Sequence, residues 1–119
     1  SSKKHKKNKI NSLKINNSTL NNRKYIITHT TYLTDAMLKI SSNFNETTET
    51  NYLATAFEGL CSLRYLVSNK YKIKVNDTIL YLFYLLQQKY EPKYGLYRFL
   101  SGDKRLDITG HIINGMIVL

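Results

Sequence analysis

Apolar residues recur at helical spacing through most of the chain, and polar stretches interrupt them three times. From Tyr25, a first segment carries Tyr25, Ile26, Leu33, Met37 and Ile40 on a loose apolar face. It stops at Ser41-Ser42-Asn43, residues that compete for backbone hydrogen bonds. A second segment, opened by Thr47 or Thr48, repeats Tyr52, Leu53, Ala56, Phe57, Leu60, Leu63, Leu66 and Val67 at i, i+3, i+4 and i+7, and closes at Ser68-Asn69-Lys70. The run Lys70 to Val75 alternates polar and apolar. With no clear second strand to pair with, it reads as an extended connector. A third helix begins at Asn76, Asp77 or Thr78. It is apolar nearly all round from Ile79 to Leu86, as a helix buried against several neighbours is, and Glu91-Pro92 ends it. A loop from Pro92 to Leu106 leads to a fourth apolar segment, capped by Asp107 or Thr109 and running to Leu119. A β reading of Ile112 to Leu119 stays open. The expected fold is all-α: about four helices, as two helical hairpins.

The region before Tyr25 is of a different kind. Residues 1–22 are mostly Lys, Asn and Ser, with Ile10, Leu13, Ile15 and Leu20 as the apolar side chains, too little apolar surface to offset the entropy of ordering. They read as a flexible basic arm or juxtamembrane linker, with a helical domain over residues 23–119. The formal net charge is +10. Lys3, Lys4, Lys6, Lys7, Lys9, Lys14, Arg23 and Lys24 all precede Asp35, the first acidic side chain, and beyond it basic and acidic groups nearly balance. The polyanion-seeking candidates are therefore Lys3, Lys4, Lys6, Lys7 and Lys9. Their partner would be an anionic membrane surface, an anionic wall polymer or nucleic-acid phosphates. No Arg or aromatic residue is interleaved among them, so neither base readout nor stacking is indicated. The first residue is Ser, as in a processed chain or a piece of a longer one. A cell-surface or extracellular setting is favoured, and the remainder of a larger chain, or further copies, are expected partners. The sequons at Asn16, Asn17, Asn45 and Asn76 inform only in a secreted eukaryotic protein.

Two stretches match at an offset of about 56 residues. Asn51-Tyr52-Leu53-Ala54-Thr55-Ala56-Phe57-Glu58-Gly59-Leu60 aligns with Asp107-Ile108-Thr109-Gly110-His111-Ile112-Ile113-Asn114-Gly115-Met116. Both open on small residues and carry a polar-Gly-apolar triplet two turns later. Gly59 and Gly115 are either tolerated in their helices or mark a close helix approach.

The segment Leu85-Leu86-Gln87-Gln88-Lys89-Tyr90, then Tyr94-Gly95-Leu96-Tyr97-Arg98-Phe99, then Leu106-Asp107-Ile108-Thr109-Gly110-His111-Ile112-Ile113-Asn114 resembles one hairpin of an α/α toroid. Such rings of paired helices occur in terpene cyclases and in six-hairpin glycosidases, lyases and epimerases. Tyr97 stands where cyclase repeats usually have Trp, and two hairpins do not close a six-hairpin ring. The resemblance implies a Gly-aromatic loop that tucks a ring under the rim, and an inner helix opened by Asp-x-Thr. It also implies a carbohydrate or similar polyhydroxylated ligand in the central hollow.

Glu58, Asp107 and His111 are then the candidates for acid–base work. Glu58 also fits a solvated surface acid, and Asp107 with His111 also fits a helix cap and first-turn side chain. Tyr94, Tyr97, Arg98 and Asn114 are the candidate ligand contacts. The rings among them equally fit loop anchors. Cys61 sits in an apolar helix and reads as a small buried hydrophobe. One Cys and three widely spaced His give no metal-ligand spacing, and no cofactor-binding motif occurs. The expected function is part of a toroid that binds or acts on a polyhydroxylated substrate. The alternative is a small helical protein that holds nucleic acid through its lysine arm.

Overall fold

The computed structural model describes residues 2–119, with side chains from 21 onward except 27. Among the described residues there are four helices and one small sheet: α1 (Ser2–Ser41), α2 (Thr50–Leu63), α3 (Asn69–Gln87), β1 (Tyr90–Glu91), β2 (Leu96–Tyr97) and α4 (Leu106–Val118). The all-α expectation is met, and the last segment is helix. No described helix is long and apolar enough to cross a membrane. The side chains of the basic arm lie outside the described residues, apart from the exposed Asn21 and Asn22.

Helix α2 is the hub. It packs on α1, α3 and α4, and its most extensive contact is with α4. Leu53, Ala54, Phe57, Leu60 and Cys61 are fully buried on it. Val75, Ile79, Leu82, Leu85 and Leu86 from α3 and Ile108 and Ile112 from α4 complete the core. The Phe57 and Phe83 rings lie 6.0 Å apart in a tilted pair. Burial pushes the Cys61 thiol up to about 11, so it is a neutral packing group at ordinary pH.

Several boundaries differ from those expected. Thr47 and Thr48 do not cap α2. Thr47 donates its hydroxyl to Asn45 Oδ1, and Thr48 Oγ1 accepts from the Asn45 amide. The cap residue is Glu49, whose Oε1 accepts from the Thr50 amide. Helix α2 ends at Leu63, before the exposed Tyr65 and Leu66, because Tyr65 reaches across to the Val118 and Leu119 carbonyls. The stretch expected as a connector, Lys70 to Val75, is the start of α3. Tyr71, Val75 and Ile79 follow one another at helical spacing on its packed face. The face of α1 also differs. Thr30, Thr34, Leu38 and Ser41 are buried, whereas Tyr25, Ile26, Leu33 and Ile40 are exposed. Thr34 is accommodated because its hydroxyl donates to the Thr30 carbonyl.

The loop between α3 and α4 holds the small hairpin. Tyr90 pairs with Tyr97 and Glu91 with Leu96, and the turn closes through Gly95 at φ +66°. The Tyr97 ring is buried, and its amide donates to Thr109 Oγ1 at 3.3 Å. Thr109 thus fixes the loop rather than capping the helix. The cap residue of α4 is Arg105, without a side-chain cap bond, while Asp107 sits in the first turn.

Candidate functional site

Contacts between α2 and α4 advance along both helices together. Glu58 meets His111, Phe57 and Glu58 meet Gly115, Arg64 Nη1 donates to the Leu119 carbonyl, and Tyr65 donates to Val118. The two helices therefore run side by side in the same direction. This brings the internal repeat into register, because each contact joins positions separated by close to the repeat offset.

Both glycines of the repeat are close-approach positions. A Cβ on Gly115 would lie 2.7 Å from the Phe57 ring and 3.3 Å from the Glu58 backbone, and one on Gly59 would lie 2.7 Å from Met37 Cε.

In a helix each residue turns by about 100°. On α4, Ile108, Ile112 and Gly115 point to α2. Asp107, His111 and Asn114 follow each other along one flank, and Thr109, Ile113 and Met116 along the opposite one. On α2 the repeat equivalents of that first flank are Asn51, Thr55 and Glu58, which also fall on one flank. The stripes are polar and at least partly exposed. They meet where His111 Nδ1 lies 2.8 Å from Glu58 Oε2. A carboxylate accepts only, so Nδ1 carries the proton and Nε2 is the acceptor of the neutral ring. The pair is partly exposed, at 46% for His111 and 32% for Glu58, so it contributes little to stability.

Asp107 lies one turn before His111 and makes no bond to Glu58. The Arg105 guanidinium beside it, at 2.6 Å from Oδ2, holds its carboxyl below the usual carboxylate range. Partial desolvation opposes this, and the Ile108 backbone N–H adds to the lowering.

The remaining candidates lie elsewhere. Tyr97 is buried on the Thr109 side of α4, away from the stripe. Arg98 is committed within the hairpin, donating to the Gln88 carbonyl at 2.9 Å and pairing with Glu91 at 3.5 Å. Tyr94 is exposed, with the Lys93 and Lys104 ammonium groups over its ring. The arm lysines Lys3, Lys4, Lys6, Lys7 and Lys9 lie outside the residues whose side chains are described. Among the described residues, no group of three or more His, Cys, Asp or Glu side chains could hold a metal ion.

A polar seam at the start of α2 ties that end of the helix to the hairpin. Thr50 Oγ1 donates to the Arg98 carbonyl at 2.6 Å, and Glu49 Oε1 accepts from the Leu100 amide at 3.0 Å. Lys89 is buried, only 5% exposed, and donates to the Glu46 carbonyl at 3.1 Å. Burial lowers its pKa, with Glu49 opposing. The native state therefore binds the Lys89 proton less tightly than the unfolded chain, and stability rises with pH in the alkaline range below the usual lysine value.

Asn51 and Thr55 were not singled out from the sequence, although the repeat alignment pairs them with Asp107 and His111. Lys89 had no such signal, since its burial comes from the distant loop that carries Glu46.

No protein-family model, curated protein or solved structure matches this chain. The functional reading therefore rests on the geometry above.

Proposed function

We propose that the chain forms an arc of an α/α toroid and that its paired polar stripes hold a polyhydroxylated ligand, such as a segment of polysaccharide. The observation that carries this reading is the Glu58–His111 contact. It joins two repeat-equivalent polar flanks, on parallel helices, into one surface. Such a surface offers what sugar hydroxyls use: carboxylate acceptors at Glu58 and Asp107, the amide of Asn114, a hydroxyl at Thr55 and an imidazole at His111. The buried Tyr97 ring, in a loop whose Tyr97 amide donates to Thr109 Oγ1, supports the toroid resemblance.

The Arg105 guanidinium keeps Asp107 ionised, which suits it to accepting hydroxyl hydrogen bonds.

Calorimetric titration of the chain with cello-, manno- and chito-oligosaccharides tests the reading. Glu58→Gln and His111→Gln are each expected to weaken the tightest of these complexes about tenfold, as loss of a charge-assisted hydrogen bond does. Deleting residues 1–22 is expected to leave sugar binding intact. Absence of binding to every oligosaccharide, or variants that bind like the wild type, would overturn it. Salt-sensitive binding of a DNA oligonucleotide that vanishes with the arm would instead favour the nucleic-acid reading, which the unopposed positive charge ahead of Asp35 motivates.

A further inference from the structure

The flank of α4 opposite the polar stripe borders a cleft of its own. Thr109, Ile113 and Met116 of α4 form one wall, Gln87 at the end of α3 a second, and Tyr90 and Tyr97 of the hairpin a third. The space is about 340 Å³, within the range of small-molecule sites. The two tyrosine rings lie 5.2 Å apart and are tilted by 49° to each other. Thr109 Oγ1 accepts from the Tyr97 amide at 3.3 Å, which ties the hairpin wall to the helix wall.

One group in this cleft is prepared for a partner that the protein does not supply. Tyr97 is only 5% exposed, yet among the described residues its hydroxyl makes no hydrogen bond. A hydroxyl on so deeply buried a side chain is ordinarily paired. The open space that Tyr97 lines is this cleft. Burial, with Tyr90 adding to it, pushes the Tyr97 phenol up, so it keeps its proton and is a donor at ordinary pH.

The walls also define what the hydroxyl can meet. Among the described residues no charged side chain lines the cleft, so an ionic ligand would lose hydration without gaining a counter-charge. A sugar would leave most of its hydroxyls against Ile113, Met116 and the rings, unpaired. Aromatic rings and a methionine thioether instead favour another ring, packed offset or edge-on.

We infer that the cleft between the hairpin and α4 binds a small uncharged aromatic molecule that carries a carbonyl-type acceptor. Its ring packs among Tyr90, Tyr97, Ile113 and Met116, and its acceptor receives the Tyr97 hydroxyl. The site lies across α4 from Glu58 and His111, so the inference does not rest on the polysaccharide reading and its test involves no sugar.

Benzamide is the probe, titrated into the full ¹⁵N-labelled chain to about 20 mM, well above the millimolar affinity that so small a ligand reaches. Saturable amide shifts are expected at Gly95, Tyr97, Thr109, Ile113 and Met116, with Glu58 and His111 unmoved. Benzoate and cyclohexanecarboxamide are each expected to bind at least about fivefold more weakly, the first for its charge and the second for its missing ring. Tyr97→Phe keeps the ring and removes a hydroxyl that has no partner in the protein. It is expected to keep the wild-type melting curve and to weaken benzamide about fivefold. Met116→Glu, at a position 39% exposed, sets a charge in the cleft and is expected to weaken benzamide about tenfold. Absence of saturable shifts, shifts outside the cleft, benzoate binding as tightly as benzamide, or either variant binding as the wild type does would overturn the proposal.

Discussion

Gly115→Val is expected to lower stability by about 2–3 kcal/mol, as overpacking a close-packed contact does. The added atoms have nowhere to go. A Cβ at this position already meets the Phe57 ring at 2.7 Å and the Glu58 backbone at 3.3 Å, and backbone does not swing aside as a flexible side chain would. The internal control is Gly110, earlier in the same helix, where a Cβ meets nothing within 4 Å. Gly110→Ala is expected to stabilise the helix by roughly 0.5–1 kcal/mol through helix propensity. Urea unfolding followed by circular dichroism measures both. Equal stability of Gly115→Val and the wild type would mean that α4 does not approach α2 as described.

Phe57→Ala is expected to cost about 3–5 kcal/mol, a large share of the stability of a domain this size. The side chain is fully buried and stands where three helices meet, between Phe83 of α3 and Gly115 of α4. Its removal leaves a cavity that neither neighbour is long enough to fill. The two positions also have to be coupled. In a Phe57→Leu background the ring edge facing Gly115 is gone, so Gly115→Ala is expected to be less damaging there than in the wild type. The double variant should therefore be more stable than the sum of the single effects. Strict additivity would contradict direct contact between the two sites.

Much of this architecture was legible in the sequence, because α2 and α4 carry their apolar residues at strict helical spacing and share a repeat. The repeat set Gly59 and Gly115 side by side as either tolerated or close-approach positions, and both are close approaches. The sequence misled where a second pattern overlaid the first. Lys70, Lys72 and Lys74 alternate with Tyr71, Ile73 and Val75 and imitate a strand, yet Tyr71 and Val75 are the packed pair and Ile73 is 75% exposed. In α1 the large apolar residues overlie a buried stripe built partly from threonines, with the Thr34 hydroxyl donating to the Thr30 carbonyl. Leu66 and Val67 prolong the apolar period of α2 past its true end at Leu63, where Tyr65 turns aside to the Val118 and Leu119 carbonyls.

The candidate site was legible in part. Glu58 and His111 are both acid–base candidates in the sequence, but the sequence pairs Glu58 with Asp107, and it is the side-by-side packing of α2 and α4 that brings His111 to Glu58 instead. Tyr94, Tyr97 and Arg98 are candidate ligand contacts in the sequence because they cluster in the loop ahead of α4, where rings and guanidinium donors suit a sugar. The turn of α4 instead puts the Thr109 flank, and Tyr97 with it, on the far side of the helix. Residues two apart on a helix point in nearly opposite directions, so nearness along the chain is a poor guide to a shared surface.

The most direct test of the central claim is a map of where the ligand touches. The ¹⁵N-labelled chain is titrated with the oligosaccharide that binds tightest, and amide shifts are followed residue by residue. The account predicts shifts clustered at Asn51, Thr55, Glu58, Asp107, His111 and Asn114, with residues 1–22 unmoved. Shifts confined to the lysine arm or to the Tyr94–Arg98 hairpin, with both stripes silent, would contradict it.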